Sequence, residues 1–165
     1  MSRYRPPAPK SSPYITAIGF RALNDELQSL WSRRREVVVH LSAAAAEGDR
    51  SENAEYIYRK KQLRELDRRI GYLQRRLPLL KVSSALPADR ERVFFGATVS
   101  LCDEAMQETE VRIVGADEFD PARNWISVDS PMARALLKRT VDDEVQVSTP
   151  RGVNTYCIVA VNYVA

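Results

Sequence analysis

The residues with the clearest chemical potential are acids. Asp49, Glu52 and Glu55 recur at intervals of three within GDRSENAE (48–55), so on a helix they share one face. Carboxylates of this kind are what a protein lends to a shared magnesium site, because the ion keeps several waters and takes one or two carboxylates together with substrate phosphates. The same spacing has a plainer use. Asp49-x-x-Glu52 has the form of a capping box, and acids in a first turn favour the helix dipole. Spacing alone favours the cap, whereas position favours delivery, since capping needs no long arm. A second set is cationic: Arg59, Lys60, Lys61, Arg64, Arg68 and Arg69 crowd the next segment on roughly one side, where they attract phosphates or an acidic wall without reading sequence. A solvated helix face is the ordinary meaning of such a run, and it covers Arg75 and Arg76 well. Other chemistry is thin. His40 is the only histidine and borders an apolar stripe, as a tolerated helix residue does. Cys102 and Cys157 lie outside any Cys-x-x-Cys spacing and read as free thiols buried on strands. With no nucleophile–base pair and no Gly-rich phosphate loop, the chain does not read as a self-sufficient enzyme.

The acids and cations must be held by helices. Phe20, Leu23, Leu27, Leu30, Arg34, Val37, Leu41 and Ala44 follow a strict 3,4 spacing, and Tyr56, Arg59, Leu63, Leu66, Ile70, Leu73 and Leu77 repeat it. Each stripe has one basic interruption. Gly48 and the polar residues around it supply a stop and a restart. Two long helices joined by a short turn run antiparallel, so 14–83 reads as a coiled-coil hairpin of arms roughly 40 Å long with the acids at its tip. Pro78 ends the second arm. Beyond it the period changes. Short β-rich runs occupy 93–101, 109–114, 125–128, 144–148 and 155–164, with one helix over 132–139 that Ser130 caps and Pro131 opens. The expected fold is α+β: a disordered tail over 1–13, the hairpin over 14–83, and a small antiparallel-sheet domain with a short helix over 84–165.

Composition sets the outer bounds. Of 165 residues, 44% are hydrophobic and 28% charged, with 6 Gly and 9 Pro, which excludes collagen and disorder throughout. No run approaches the roughly 20 apolar residues of a membrane span, and MSRYRPPAPKSSP lacks the apolar core of a secretion signal, so the expected location is the cytoplasm without membrane contact. Residues 1–83 carry 17 Lys+Arg against 9 Asp+Glu, and 84–165 carry 8 against 13. A basic half and an acidic half point to different partners.

Three segments closely resemble one family. GDRSENAEYIYRKKQLRELDRRIGYLQRRL (48–77), FFGATV (94–99) and ISVDSPMARALLKR (126–139) are similar to the Gre family of bacterial transcript-cleavage factors, and Arg50-Ser51, the Arg-rich second helix and SPMARALL resemble its GreB branch. Coverage is nearly the whole chain after residue 13, and 32–47 departs most from the family's wording. The resemblance implies an N-terminal coiled coil that enters the secondary channel of RNA polymerase and an FKBP-like C-terminal domain that docks at the channel rim. It implies that Asp49 and Glu52 help hold a magnesium ion shared with the polymerase, which then cleaves backtracked RNA, while the isolated protein holds none tightly. Arg59, Lys60, Lys61, Arg64 and Arg68 match the patch that meets the nascent RNA 3′ segment. Asp129, Ser130 and Pro131 match the loop that contacts the polymerase, with Asp129 expected as an exposed charge. The protein is expected to be a monomer. An alternative is a secondary-channel inhibitor without cleavage activity, against which the retained Asp49 and Glu52 argue. A prolyl isomerase is a further rival on fold alone, but 93–165 displays no evident aromatic-lined pocket.

Overall fold

Heptad spacing becomes two helices in the computed structural model, which describes residues 10–48 and 53–164. Helix α1 spans Ala17–Ala46 and α2 spans Ala54–Arg76. Along α1, Leu23, Leu30, Val37 and Ala44 are buried at intervals of seven; α2 answers with Leu66, Ile70 and Leu73. The basic interruption in the first stripe is an ion pair between the helices, with Arg34 Nε 2.6 Å from Asp67 Oδ1. Arg69 grips Glu26 through two bonds of 2.6 and 2.8 Å. Residue 26 thus meets 69 and residue 34 meets 67, so one number falls as the other rises and the helices are antiparallel. Pro78 ends the arm as expected, in a 3-10 turn over Leu77–Leu79.

The hairpin proper, Phe20–Leu80, is one compact unit, and residues 10–19 group with 81–164 as the other. Strand β1 (Tyr14–Thr16) lies parallel to β2 (Lys81–Ser83), with Tyr14 opposite Lys81, so the two ends of the expected hairpin span, 14–83, pair with each other. Lys81 N–H donates to Pro13 O at 2.8 Å. The end of the expected tail, 10–13, is therefore tied down; residues 1–9 lie outside the described residues.

The remaining strands are β3 (Ala97–Asp103), β4 (Glu108–Val114), β5 (Trp125–Ser127), β6 (Glu144–Thr149) and β7 (Gly152–Tyr163). They form one sheet in the order β5-β4-β3-β7-β6. Four strands are antiparallel, as expected, whereas β5 joins the edge parallel to β4. The run expected from residue 93 becomes strand only at Ala97, because Gly96 turns the chain at φ 85°. Between Ser100 and Leu101 the β3–β7 register shifts by one, leaving Val159 as a bulge. One face of the sheet buries Ala97, Val99, Leu101, Val111, Ile113, Val145 and Ile158. Helix α3 (Pro131–Leu136) covers that face with Ala133 and Leu136. It is shorter than expected, since Lys138 adopts φ 69° and its N–H turns to Val93 O.

Candidate functional site: the hairpin tip and its supports

A helix start needs acceptors for its first N–H groups, and at α2 Asn53 supplies one. Its Oδ1 accepts from Tyr56 N–H at 3.0 Å, and its Nδ2 donates across the turn to Ala44 O at 2.8 Å. One side chain thus caps the second helix and ties it to the last turn of the first. The capping box read at Asp49-x-x-Glu52 falls on residues that the structure does not describe, Asp49, Arg50, Ser51 and Glu52. The chain reaches them through Gly48 at φ 130°, a conformation open mainly to glycine. Glu55, the third acid of the series, is exposed and paired with Arg59 at 2.6 Å. Asn53 was missed, although asparagine immediately before Ala54-Glu55 is a good cap signal.

The cations separate into two kinds. Lys60, Lys61, Arg64 and Arg68 are exposed and, by helical period, lie opposite Leu66 and Ile70. Arg59 does not belong with them. It falls on the apolar stripe, is half-buried, and is held by Glu55 and by Gln62 at 3.2 Å with its guanidinium 5.4 Å from the Tyr58 ring centroid. Its Nε and one terminal nitrogen donate within α2.

In the sheet unit, Ser130 caps α3 as expected, accepting from Ala133 N–H at 3.1 Å, and Pro131 occupies the first turn. Asp129 differs from expectation. It is half-buried, and its Oδ2 accepts from Ser12 N–H at 2.8 Å. No local pattern announces a contact between residues 117 positions apart. The structure thus keeps the 129–131 loop preformed and fastens the N-terminal segment beside it.

A second carboxylate, unflagged in the sequence, organises the start of α1. Thr16 is the cap, accepting from Gly19 N–H at 3.0 Å. In a capping box the residue three past the cap returns a carboxylate to the cap's N–H; here that residue is Gly19, and Glu118 replaces it. Glu118 accepts from Thr16 N–H and Gly115 N–H, both at 2.9 Å, and from the Thr16 hydroxyl. A Cβ on Gly19 would lie 2.1 Å from Glu118 Oε1, so only glycine leaves room. Both thiols are free, as expected, but half-buried rather than buried.

Among the described residues no group of three His, Cys, Asp or Glu is arranged for a metal ion, and no helix is long and apolar enough to cross a membrane. Comparison with known proteins places these features. Residues 88–163 match the family model described as transcription elongation factor, GreA/GreB, C-terminal, and residues 13–82 match its transcription elongation factor N-terminal counterpart. Transcription elongation factor GreB of Xanthomonas axonopodis pv. citri is 57% identical over 165 residues, 99% of this chain and 98% of that one. GreB of Yersinia pestis is 54% identical over 153 residues, 92% and 90% of the two chains. Among solved structures, GreA factor homolog 1 of Thermus thermophilus aligns over 90% of this chain and 97% of its own at 24% identity and a TM-score of 0.42.

Proposed function

The chain belongs to the GreA/GreB family of transcription elongation factors, on its GreB side, and we propose that it binds RNA polymerase, inserts its coiled coil into the secondary channel and stimulates cleavage of backtracked nascent RNA by the polymerase. The observation that carries this reading is the match of both halves of the chain to the GreA/GreB family models, together with two acids, Asp49 and Glu52, that fall in sequence between the end of α1 at Ala46 and the start of α2 at Ala54.

Asp49 and Glu52 are the residues that would hold magnesium, together with ligands from the polymerase. Carboxylates suit this ion, and two are too few to fill its coordination alone. The chemistry such an ion would supply there is activation of a water for attack on the scissile phosphate. The rest is work for the chain itself: α1 and α2 carry the acids, Lys60, Lys61, Arg64 and Arg68 draw the RNA backbone by charge, and the loop at Asp129, Ser130 and Pro131 meets the polymerase rim.

The test uses a stalled, backtracked elongation complex. Wild-type protein should shorten the transcript from its 3′ end. Asp49→Asn combined with Glu52→Gln should abolish the effect while still competing with wild type for polymerase. Undiminished cleavage by the double variant sinks the assignment, and competition without cleavage by wild type would identify an inhibitor.

A further inference from the structure

Cys102 on β3 and Cys157 on β7 are direct partners in the antiparallel ladder. Residues opposite one another in such a ladder project from one face with Cα atoms about 4.5–5.5 Å apart, inside the range of about 4.4–6.8 Å that a disulfide spans. Alternation identifies the face. Leu101 and Ile158 are buried in the core, so the next residue on β3 and the preceding one on β7 both point to the opposite side. The register shift after Ser100 is what makes the match: without it, Cys102 would stand opposite Ile158. Both thiols are free and partly open to solvent.

We propose that Cys102 and Cys157 form a paired oxidation site that closes to a cross-strand disulfide on exposure to small neutral peroxides. One thiol takes an oxygen atom from hydrogen peroxide, becoming a sulfenic acid and releasing water. The second sulfur then attacks the first, the S–S bond forms, and the sulfenic oxygen leaves as a second water carrying the remaining thiol proton. Two thiols lose two electrons and two protons in all, and a dithiol reductant reverses the change. The oxidant class follows from the flanks. Glu108 lies opposite Cys102 on β4, and Glu144 lies opposite Cys157 on β6, giving a row Glu108-Cys102-Cys157-Glu144 across one face. Two exposed carboxylates beside the thiols repel anionic oxidants such as glutathione disulfide and leave hydrogen peroxide unaffected. The bond would fasten β3 to β7 and close a long loop that contains β4, β5, α3 and β6, the situation in which a cross-link restricts the unfolded chain most.

The experiment treats the full-length protein with hydrogen peroxide. The proposal expects an intact mass lower by two hydrogens, one linked peptide pair containing residues 102 and 157, a monomer on a non-reducing gel, and full reversal by dithiothreitol. The oxidised form should melt about 5 °C higher than the reduced form. Cys102→Ser and Cys157→Ser should each add oxygen at the remaining cysteine and form no internal bond, so a folding defect in one variant leaves the other to report. With glutathione disulfide the internal bond should form more slowly, and Glu108→Gln with Glu144→Gln should remove the delay. Independent oxidation of both cysteines in the wild type, or a bond between two chains, overturns the proposal.

Discussion

At the scale of single residues, Asn53 and Tyr163 make the sharpest predictions. Asn53 serves two partners at once, so Asn53→Ala removes both a helix cap and the tie to Ala44 O. The loss should be about 1–2 kcal/mol in stability. Asn53→Asp, which keeps the acceptor for Tyr56 N–H and lacks the donor for Ala44, should fall between; urea denaturation of the three proteins checks the order. Tyr163 accepts from Phe94 N–H and donates to Arg92 O. Burial pushes its hydroxyl above the ordinary value of 10.0, the bond from Phe94 opposes that, and Asp89 adds to it. The folded state therefore favours the protonated phenol. Its contribution is fully present below pH 10 and is lost as pH rises through the higher folded value. Thermal melts from pH 8 to 11 should show a decline in the wild type that Tyr163→Phe blunts; an identical decline in both assigns the alkaline loss to other groups.

At the scale of elements, the antiparallel hairpin rests on apolar stripes with ion pairs setting register. Arg34–Asp67 is partly exposed, with side-chain accessibilities of 33% and 47%, so its net worth is about 0.5 kcal/mol. Arg34→Asp should lose somewhat more, because two acids then face one another, and adding Asp67→Arg should recover most of it. Helical circular dichroism on melting reads the cycle; failure of the second change to rescue the first makes the pair incidental. These stripes were legible because a heptad is a local pattern, and so were the Ser130-Pro131 helix start and the strand runs at 109–114 and 144–148. The parallel orientation of β5, the bulge at Val159 and the pairing of β1 with β2 were not, since each is settled by a partner distant in sequence. At the tip, acids and cations were visible by type, whereas the pairing of Arg59 with Glu55 and Gln62 is set by side-chain geometry that spacing does not announce. Replacing Lys60, Lys61 and Arg64 with alanine should weaken cleavage of long backtracked segments more than short ones, and more as salt rises. Arg59→Ala should instead lower helix stability with little change in salt dependence.

At the scale of the whole molecule, the domain of residues 84–165 is not self-contained. Glu118 draws its partners from Thr16 and the space beside Gly19, and Asp129 draws one from Ser12. A fragment beginning at residue 84 leaves both carboxylates without these donors. Its melting temperature should lie below that of the sheet domain within the intact chain, by an amount that Glu118→Gln in full-length protein partly reproduces. Equal melting temperatures for fragment and intact chain contradict this dependence. Ser12→Pro removes the N–H that binds Asp129 and leaves the side chain in place, so polymerase affinity should hold or rise if Asp129 meets the rim. A fall in affinity would assign the contact to the N-terminal segment.

The replacement of a capping side chain at Gly19 by Glu118 also orders events in time. Synthesis runs from the amino end, and domains tend to fold as they emerge. The helices of the hairpin are complete once residue 76 has left the ribosome. The first turn of α1 then waits for a carboxylate 102 positions behind Thr16. A nascent chain stalled before residue 118 should therefore protect amides in the middle of α1 from hydrogen exchange while leaving those of Thr16 and its neighbours open. The start of the first helix is among the last parts of the protein to be finished.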